Sequence, residues 1–354
     1  MIISNALPTY FMPMSQFPRL RKSIRCGGKG NYNHAYLNNF CVKEDLEIYK
    51  KRPYHHVINL EEPVRKTDGV YDLFGGKASQ DGRVFKQNFA IRSYEVGCDG
   101  KASLGSLMKR LQVGNSVVQH SKSIGLLSGG FCSTPEMEKR GLVWVLRKFQ
   151  IDVEQYPSWG DIIQIETCCY ASADTGVIRD FVFRDHRTGE ILTRAASLNV
   201  LMNMHTRRLS KVEPDIRDEI GFAFMVGDPQ IDIKNTKLRQ MNVNTRSLIP
   251  LAGYLTPSWT DLDINQHVSH VKYLDWVFQS LPRSDVEKNE LSSMILEFRR
   301  ECRMGDNLQS FCEVARSDGT LSQFTDKNGI EFDHLLLHED GSTILRGRTM
   351  WKAR

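Results

Sequence analysis

The sequence predicts an α+β fold in which one arrangement, an antiparallel sheet wrapped around a helix, occurs twice. In each half of the chain, a strand-like segment precedes a segment of helical periodicity, and a run of strand-like segments follows. Matching turns separate strands in the two halves, Trp159-Gly160-Asp161 and Met304-Gly305-Asp306. The composition, with 40% apolar residues, is typical of a globular protein, and no apolar run approaches the roughly 18 residues of a membrane helix.

The first 43 residues differ from the rest because they contain six basic and no acidic side chains. This composition is typical of an organelle transit peptide, and a disordered tail is the alternative. The remaining residues contain 41 basic and 42 acidic side chains, so the formal charge of +5 comes from this leader. The charge balance therefore gives no reason to expect nucleic-acid binding. Residues 44–83 are polar and irregular, which predicts a linker.

The sequence shows no pattern that would hold a cofactor or a metal ion. The eight cysteines lack CxxC spacing, which favours reduced thiols over disulfides or a zinc site. Gly75-Gly76-Lys77 lacks the additional Gly and the Ser or Thr of a phosphate-binding loop. His55-His56 has no acidic or cysteine neighbours to complete a metal site. We therefore expect neither a cofactor nor a metal.

The predicted N-terminal repeat, residues 84–204, begins with a strand at 84–96, where apolar positions alternate loosely. Ser103 is a suitable N-cap for the helix that follows. The apolar stripe of that helix consists of Leu104, Leu107, Met108 and Leu111. Four further strands are predicted, at 142–156, 162–170, 177–184 and 191–202.

Residues 205–250 are rich in charged side chains and are predicted to form a crossover linker. The C-terminal repeat, residues 251–354, then has a strand at 252–258 and a helix that begins near His267. Its remaining strands are predicted at 294–302, 307–315, 332–338 and 343–351. Two such units in one chain constitute a tandem, or double, hot-dog fold.

A cluster of polar residues precedes the second helix and is the strongest candidate for chemistry. Asp263, Asn265 and His267 occupy alternate positions at the predicted mouth of the helix. Free N–H groups at a helix N-terminus favour a developing oxyanion, and an imidazole exchanges protons near neutral pH. The alternative is an ordinary capping turn.

A second segment, Glu301-Cys302, offers two mechanisms of acyl transfer. In the first, Cys302 attacks a carbonyl after His267 takes its proton. In the second, which we favour slightly, Asp263 or Glu301 acts with His267 to activate water, or a carboxylate attacks directly. Strand alternation puts Glu301 and Cys302 on opposite faces, so only one can face His267 unless a bulge intervenes. A buried Cys302 could equally be part of the core.

The first repeat carries no matching constellation. Aligning Gly160 with Gly305 puts Tyr156 and Pro157 opposite Glu301 and Cys302, and the first helix is preceded by Cys98-Asp99-Gly100-Lys101. The sequence therefore predicts one active site, in the second repeat.

Several segments, in one order, resemble the plant acyl-acyl carrier protein (acyl-ACP) thioesterases over residues 72–354. They are Asn88–Gly97, Ser133–Met137, Tyr156–Asp161, Asn265–Val268, Val271–Tyr273 and Glu297–Cys302. The segment Gln80–Phe89 is closer to the class B, saturated-acyl branch. The resemblance implies a stromal plastid enzyme that hydrolyses long-chain acyl-ACP to free fatty acid and ACP, terminating fatty acid synthesis. It also implies that the catalytic set is Asp263, Asn265, His267, Glu301 and Cys302.

The chain departs from the family pattern in the first repeat, which we expect to bind the acyl tail. Cys168, Phe181 and Asn199 stand where the family commonly has Trp, and smaller groups favour a long saturated tail, palmitoyl-like. Asn199 could instead lie on the outer face. Docking of the acidic carrier protein requires a local basic patch. The densest basic stretches near the crossover contain Arg207, Arg208, Lys211, Lys237 and Arg239.

Two alternative functions use the same fold. One is a catalytically silent acyl-binding protein, which the presence of Asp263, Asn265 and His267 disfavours. The other is a hydratase or dehydratase, which release of free thiol from acyl-ACP would exclude. The sequence leaves open whether the protein is a homodimer.

Overall fold

The computed structural model describes residues 76–111, 133–172, 176–241, 248–251, 253–263, 266–315 and 329–354. The predicted transit peptide, most of the predicted linker before residue 84, and Asn265 lie outside the described residues.

Twelve β-strands occur in the described residues. They are β1 (Lys77–Ala78), β2 (Val84–Ala90), β3 (Leu142–Val153), β4 (Ile162–Ser172), β5 (Gly176–Asp185), β6 (Ile191–Asn203), β7 (Leu209–Ser210), β8 (Ile249–Pro250), β9 (Asn289–Phe298), β10 (Leu308–Val314), β11 (Ile330–His338) and β12 (Thr343–Ala353). The α-helices of the same residues are α1 (Leu104–Arg110), α2 (Pro135–Lys139), α3 (Pro214–Ile220), α4 (Lys272–Gln279) and α5 (Arg283–Lys288).

The strands of the two halves join into one continuous antiparallel sheet. Its order, over the described residues, is β1-β2-β4-β5-β6-β3-β9-β12-β11-β10-β8, with β7 also paired to β6. The halves meet where β3 pairs with β9, in a register that runs from Lys148 opposite Glu297 to Asp152 opposite Ser293. The tandem hot-dog is confirmed, and the two predicted sheets share an edge because β3 and β9 satisfy each other's backbone groups there.

One core runs beneath the whole sheet. The N-cap of α1 is Ser103, whose side chain accepts a hydrogen bond from the Ser106 N–H, as the sequence predicts. The apolar stripe of α1 packs against Ile163, Ile165 and other alternate residues of the sheet, in the same buried cluster as Leu274 of α4. A Cβ added to Gly105 of α1 would lie 3.8 Å from Val271, so the regions around the two helices touch. The core is therefore shared by both repeats.

The predicted crossover linker is a structural layer that contains β7, α3 and β8. Its residues Ile231 and Ile233 are buried against Ile178 and Leu198, on the face of the first half-sheet opposite α1. This burial removes apolar surface from water on the outer face, which a solvated linker would leave exposed.

Two predicted elements differ in the structure. The strand predicted at 252–258 is represented by an isolated bridge between Leu255 and Leu308, in a segment where Pro257 lacks an N–H for a ladder. The helix predicted to begin near His267 begins at Lys272 instead. A membrane-spanning helix is not found in the part of the chain that the structure describes.

Candidate active site

The loop that carries His267 is closed by backbone hydrogen bonds and precedes α4. The Asp263 N–H donates to the His267 carbonyl at 2.7 Å, and the Gln266 N–H donates to the Asp263 carbonyl at 3.0 Å. Asp263 Oδ1 also accepts from the His267 N–H at 3.2 Å. Gln266 has a φ of 62°, a left-handed conformation that few residues other than glycine adopt. The backbone of Asp263 and His267 is therefore held by this loop and not by the first turn of a helix.

The first repeat contains the same loop with different side chains. Bridges join Val96 to Ala102 and Leu262 to Val268. The Gly97 N–H donates to the Lys101 carbonyl at 2.9 Å and the Gly100 N–H to the Gly97 carbonyl at 3.0 Å, which repeats the bonds of the second loop. Gly100 has a φ of 74°, at the place of Gln266. Lys101 therefore occupies the place of His267, and the first loop has no imidazole there.

A β-bulge follows β9 and reorients the residues after Phe298. The N–H groups of Arg299 and Arg300 both donate to the Ile344 carbonyl, at 2.8 and 3.3 Å. Two consecutive donors on one acceptor interrupt strand alternation. The strand predicted at 294–302 therefore ends at Phe298, so strand alternation does not set the directions of Glu301 and Cys302, which follow the bulge.

Glu301 and His267 face each other across the site. Glu301 Oε2 lies 3.3 Å from His267 Nε2. The same Glu301 oxygen accepts a hydrogen bond from Arg207 Nη2. On the other carboxylate oxygen, Arg303 Nη2 lies 3.6 Å away. The structure thus brings together two of the predicted catalytic residues and adds two guanidinium groups that were not assigned to catalysis.

Arg207 and Arg303 were missed because neither belongs to a local motif. Asn203 at the end of β6 pairs with Leu142 at the start of β3. Since β3 in turn pairs with β9, the turn after β6 lies beside the chain that follows β9. Knowledge that β3 pairs with β9 would have indicated that Arg207 lies near Glu301. That pairing is a property of the tertiary structure.

The pKa of His267 lies below its usual value. Partial burial disfavours the charged imidazolium, and the positive charge of Arg207 adds to this effect, while Asp263 opposes it. The imidazole is therefore neutral at neutral pH and able to accept a proton.

Cys302 is part of the core and braces the loop. Its side chain is fully buried, with 0% exposure. Its N–H donates to the Tyr273 hydroxyl at 3.2 Å, and its carbonyl accepts from the Val268 N–H at 3.1 Å. Burial raises the pKa of the thiol to about 11. Because the thiolate is the nucleophilic form, a thiol with this pKa is poorly suited to attack at neutral pH.

The three residues expected to line the acyl tunnel do not share one face of the sheet. Phe181 is buried in the cluster that contains α1. Asn199 donates through Nδ2 to Ser197 Oγ at 3.0 Å, and Ser197 pairs with Phe149 of the same cluster. Cys168 is opposite Asp180 in the register, one residue from the Thr167–Phe181 pair, so it points to the other face. There its thiol donates to the Tyr170 hydroxyl at 3.8 Å.

The five residues expected to dock the carrier protein have different environments. Arg207 is bound to Glu301, and Arg239 pairs with Glu313 and lies 3.6 Å from Asp333. Arg208, Lys211 and Lys237 are exposed. Because Arg207 and Arg239 bind acidic groups of this chain, the other three residues are the better docking candidates.

The fold and site define a tandem hot-dog protein with a carboxylate–imidazole pair at the loop of its second repeat. Residues 82–220 match the acyl-ACP thioesterase N-terminal domain, and residues 251–353 match the C-terminal domain. The chain therefore belongs to the acyl-ACP thioesterase family.

Its relatives include a palmitoyl-acyl carrier protein thioesterase of Gossypium hirsutum, named as chloroplastic. The two are 45% identical over 296 residues, which cover 83% of this chain and 70% of the relative. A dodecanoyl-[acyl-carrier-protein] hydrolase of Umbellularia californica, also named as chloroplastic, is 45% identical over 273 residues, or 77% of this chain and 69% of the relative.

Solved structures agree with the fold. The 12:0-ACP thioesterase from Umbellularia californica superposes with a TM-score of 0.68 at 44% identity, covering 77% of this chain and 95% of that one. An oleoyl thioesterase (putative) from Lactobacillus plantarum superposes with a TM-score of 0.59 at 21% identity, covering 79% and 98% of the two chains. The second likeness shows the shared fold alone.

Proposed function

We propose that this protein hydrolyses the thioester of long-chain acyl-ACP, releases free fatty acid and ACP, and so terminates fatty acid synthesis in a plastid. Acyl-ACP hydrolysis is the activity of the family to which the chain belongs, and relatives 41–45% identical are named as acyl-ACP thioesterases or hydrolases. The observation that carries the proposal for this chain is the contact between Glu301 and His267.

We propose that Glu301 and His267 activate water. One of them takes a proton from a water molecule, whose oxygen attacks the thioester carbonyl. The carbon–sulfur bond then breaks, and the departing sulfur receives a proton, which leaves a carboxylic acid and a free thiol. The depressed pKa of His267 suits proton acceptance at neutral pH.

The other predicted catalytic residues have supporting roles in this mechanism. Asp263 anchors the loop through the backbone of His267. Cys302 holds that loop against Tyr273. Asn265, outside the described residues, remains predicted to orient the imidazole. A thiolate mechanism would require Cys302 to leave its buried, protonated state.

The proposed substrate carries a long saturated acyl tail, palmitoyl-like in length. A relative named as a palmitoyl-acyl carrier protein thioesterase and one named as a dodecanoyl-[acyl-carrier-protein] hydrolase are each 45% identical to this chain, so overall identity does not select a length. Phe181 and Asn199 lie on the face of the sheet toward the core, at positions where the family commonly has Trp. The space that these smaller side chains leave supports a long saturated tail.

The proposed function also includes a docking surface for the carrier protein and a location in the plastid. Arg208, Lys211 and Lys237 offer positive charge to the acidic carrier protein. Charge reversal at Arg208 and Lys211 should raise KM for acyl-ACP and spare small acyl thioesters. The relatives named as chloroplastic support a plastid location, for which we propose the stroma.

The test is a thiol-release assay on acyl-ACP of several chain lengths, with the wild-type protein and His267→Ala. We expect long saturated chains near palmitoyl in length to be cleaved fastest, and His267→Ala to lose at least about 100-fold, as expected for a general acid–base residue. A wild-type protein that binds acyl-ACP and releases no thiol would instead be a silent acyl-binding protein.

A further inference from the structure

The start of the crossover, directly after the last strand of the first repeat, contributes a side chain to the site of the second repeat. Arg207 lies in the turn between β6 and β7 and reaches Glu301, 94 residues further along the chain. At the equivalent place in the first repeat, the Tyr156 hydroxyl donates to the Leu291 carbonyl at 3.0 Å, and Lys101 Nζ lies 2.9 Å from Glu290. The first loop is thus completed by residues of the second repeat, and the second loop by a residue of the crossover. The loop with the imidazole receives a guanidinium group.

The turn that presents Arg207 is held by several hydrogen bonds. Asn203 Oδ1 accepts from the N–H groups of His205 and Thr206 at 3.0 and 2.9 Å. The Arg207 N–H donates to the Asn203 carbonyl at 2.9 Å, and the Asn203 N–H donates to the Arg208 carbonyl at 2.9 Å. Arg207 itself has a φ of 57°. A non-glycine residue in this conformation is uncommon, and such residues cluster at functional sites.

Among the described residues, Arg207, Arg303 and Asp263 are the charged groups that act on the Glu301–His267 pair. Glu301 faces His267 and Arg207 on one oxygen and Arg303 on the other. The charge of Asp263 raises the pKa of His267, whereas the charges of Arg207 and Arg303 lower it. Arg207 is the closer of the two cations to Glu301, and its side chain is about one-third exposed, against two-thirds for Arg303. A more enclosed charge interacts more strongly.

We propose that Arg207 is a positioning residue for thioester hydrolysis. It holds the Glu301 carboxylate ionised and aimed at His267, so that the pair is ready to activate water. This inference rests on the proposed function of the site. It changes the role expected for Arg207 from docking of the carrier protein to organisation of the catalytic pair.

The test compares Arg207→Met and Arg207→Lys with the wild-type protein, and uses Arg187→Met as a matched control. Arg187 is an exposed arginine in the turn after β5. Its backbone N–H donates a hydrogen bond to Asp185 Oδ1. Each protein is assayed on acyl-ACP and on the same acyl chain attached to N-acetylcysteamine, a small thiol. Circular dichroism melting curves verify that the variants are folded.

We expect Arg207→Met to lower kcat about 10- to 100-fold on both substrates, as loss of orientation does. Removal of the cation favours the protonated imidazole and the protonated carboxyl, so the acidic limb of the kcat/KM profile should move to higher pH. Arg207→Lys should restore part of the rate and most of the pH profile, because it keeps the charge without the planar fork. Arg187→Met should behave as wild type.

A docking role alone would contradict the proposal. It would raise KM for acyl-ACP and leave both the small thioester and the pH profile unchanged. NMR titration of His267 provides a readout that does not need activity: its pKa should rise in Arg207→Met, and an unchanged titration would overturn the inference. If the wild-type protein cleaves neither substrate, the proposed function fails, while this titration still tests the contact.

Discussion

At the scale of single residues, environment separates two neighbours that the sequence presents as equal candidates. Glu301 is partly exposed and contacts His267 and Arg207. Cys302, the next residue, is fully buried, and burial raises the pKa of its thiol. The cost of burying a charge therefore disfavours the thiolate, whereas the two arginines stabilise the carboxylate.

Substitution at the two positions should have opposite consequences. We expect Cys302→Ser to keep kcat/KM for acyl-ACP within about 10-fold of wild type, because the hydroxyl preserves the volume and the backbone bonds. Glu301→Gln should lose about 100-fold or more, because the amide cannot accept a proton. Detection of an acyl group on Cys302 by mass spectrometry, or an inactive but folded Cys302→Ser, would favour the thiol mechanism.

At the scale of elements, the loop of His267 and its counterpart in the first repeat share the same pattern of backbone hydrogen bonds at their described residues. Gly100 and Gln266 both adopt left-handed conformations, at φ values of 74° and 62°. The left-handed turn is therefore common to both loops, whereas the imidazole proposed for catalysis occurs only in the second of the two described loops. The crossover is the other element whose role the structure defines, because it covers the outer face of the first half-sheet.

The loop shape should be sensitive to a side chain at position 100. Gly100→Ala is expected to destabilise the protein by about 1 kcal/mol, because L-residues with side chains disfavour this conformation. Gly105→Ala is the matched control within α1. There the added Cβ has ordinary contact distance to Val271, and the helix should gain up to about 1 kcal/mol.

Urea unfolding measures both changes as shifts of the midpoint at constant slope. Equal shifts of the same sign for the two variants would show that the left-handed conformation of Gly100 is not needed.

Attachment of the crossover to the sheet should depend on pH. Asp180 of β5 accepts the Gln230 N–H at 2.7 Å through one oxygen, while its other oxygen is buried without a partner among the described residues. Burial raises the pKa of Asp180 to about 6. Since the folded pKa exceeds the ordinary value, the stability that Asp180 contributes is full below about pH 4 and is lost as the pH rises through 6.

Asp180→Asn should remove this dependence, because the amide remains uncharged and its oxygen still accepts the Gln230 N–H. The variant should become more stable than wild type by on the order of 2 kcal/mol above pH 7, with a smaller difference near pH 4. Unfolding free energies measured at pH 4, 6 and 8 check this. A constant difference across these pH values would mean that Asp180 does not titrate as proposed.

At the scale of the whole molecule, the two repeats form a single working unit. Their sheets are continuous through β3 and β9, and α1 and α4 belong to one core. The second repeat presents His267, the crossover provides Arg207, and the first repeat provides the inward face on which Phe181 and Asn199 lie. The division of labour predicted from sequence, with tail binding in the first repeat and catalysis in the second, stays a prediction, and it would take place within one core.

The inward face should determine the length of the acyl chain. One methylene contributes only about 0.8 kcal/mol to binding, or roughly fourfold, so sharp selection requires a steric end to the tunnel. Phe181→Trp and Asn199→Trp should shift the released fatty acids toward shorter chains. Cys168→Trp, on the opposite face, is the control and should leave the profile unchanged. Gas chromatography of the released fatty acids measures the profile of each variant. A profile altered only in Cys168→Trp would place the tunnel on the opposite face of the sheet.

The sequence by itself determined the order and type of most elements. Alternating apolar residues predicted β3 to β6 and β9 to β12 because the contact of a strand with a core has period two. The apolar stripe and N-cap predicted α1, and repetition of the order predicted the tandem fold. The kinds of residue in the candidate site were visible too, because an acid, an amide and an imidazole at close spacing are local features.

Only the tertiary structure decided how these residues are used. The bulge at Arg299 and Arg300 sets the facing of Glu301, and burial under the sheet disfavours the thiolate of Cys302. The register of β4 with β5 puts Cys168 on the outer face, and the pairing of β3 with β9 brings Arg207 to Glu301. Strand register, burial and a contact between residues 94 positions apart arise from the packing of several elements and not from a local pattern. Local patterns therefore predict which side chains could act, and packing determines which of them meet.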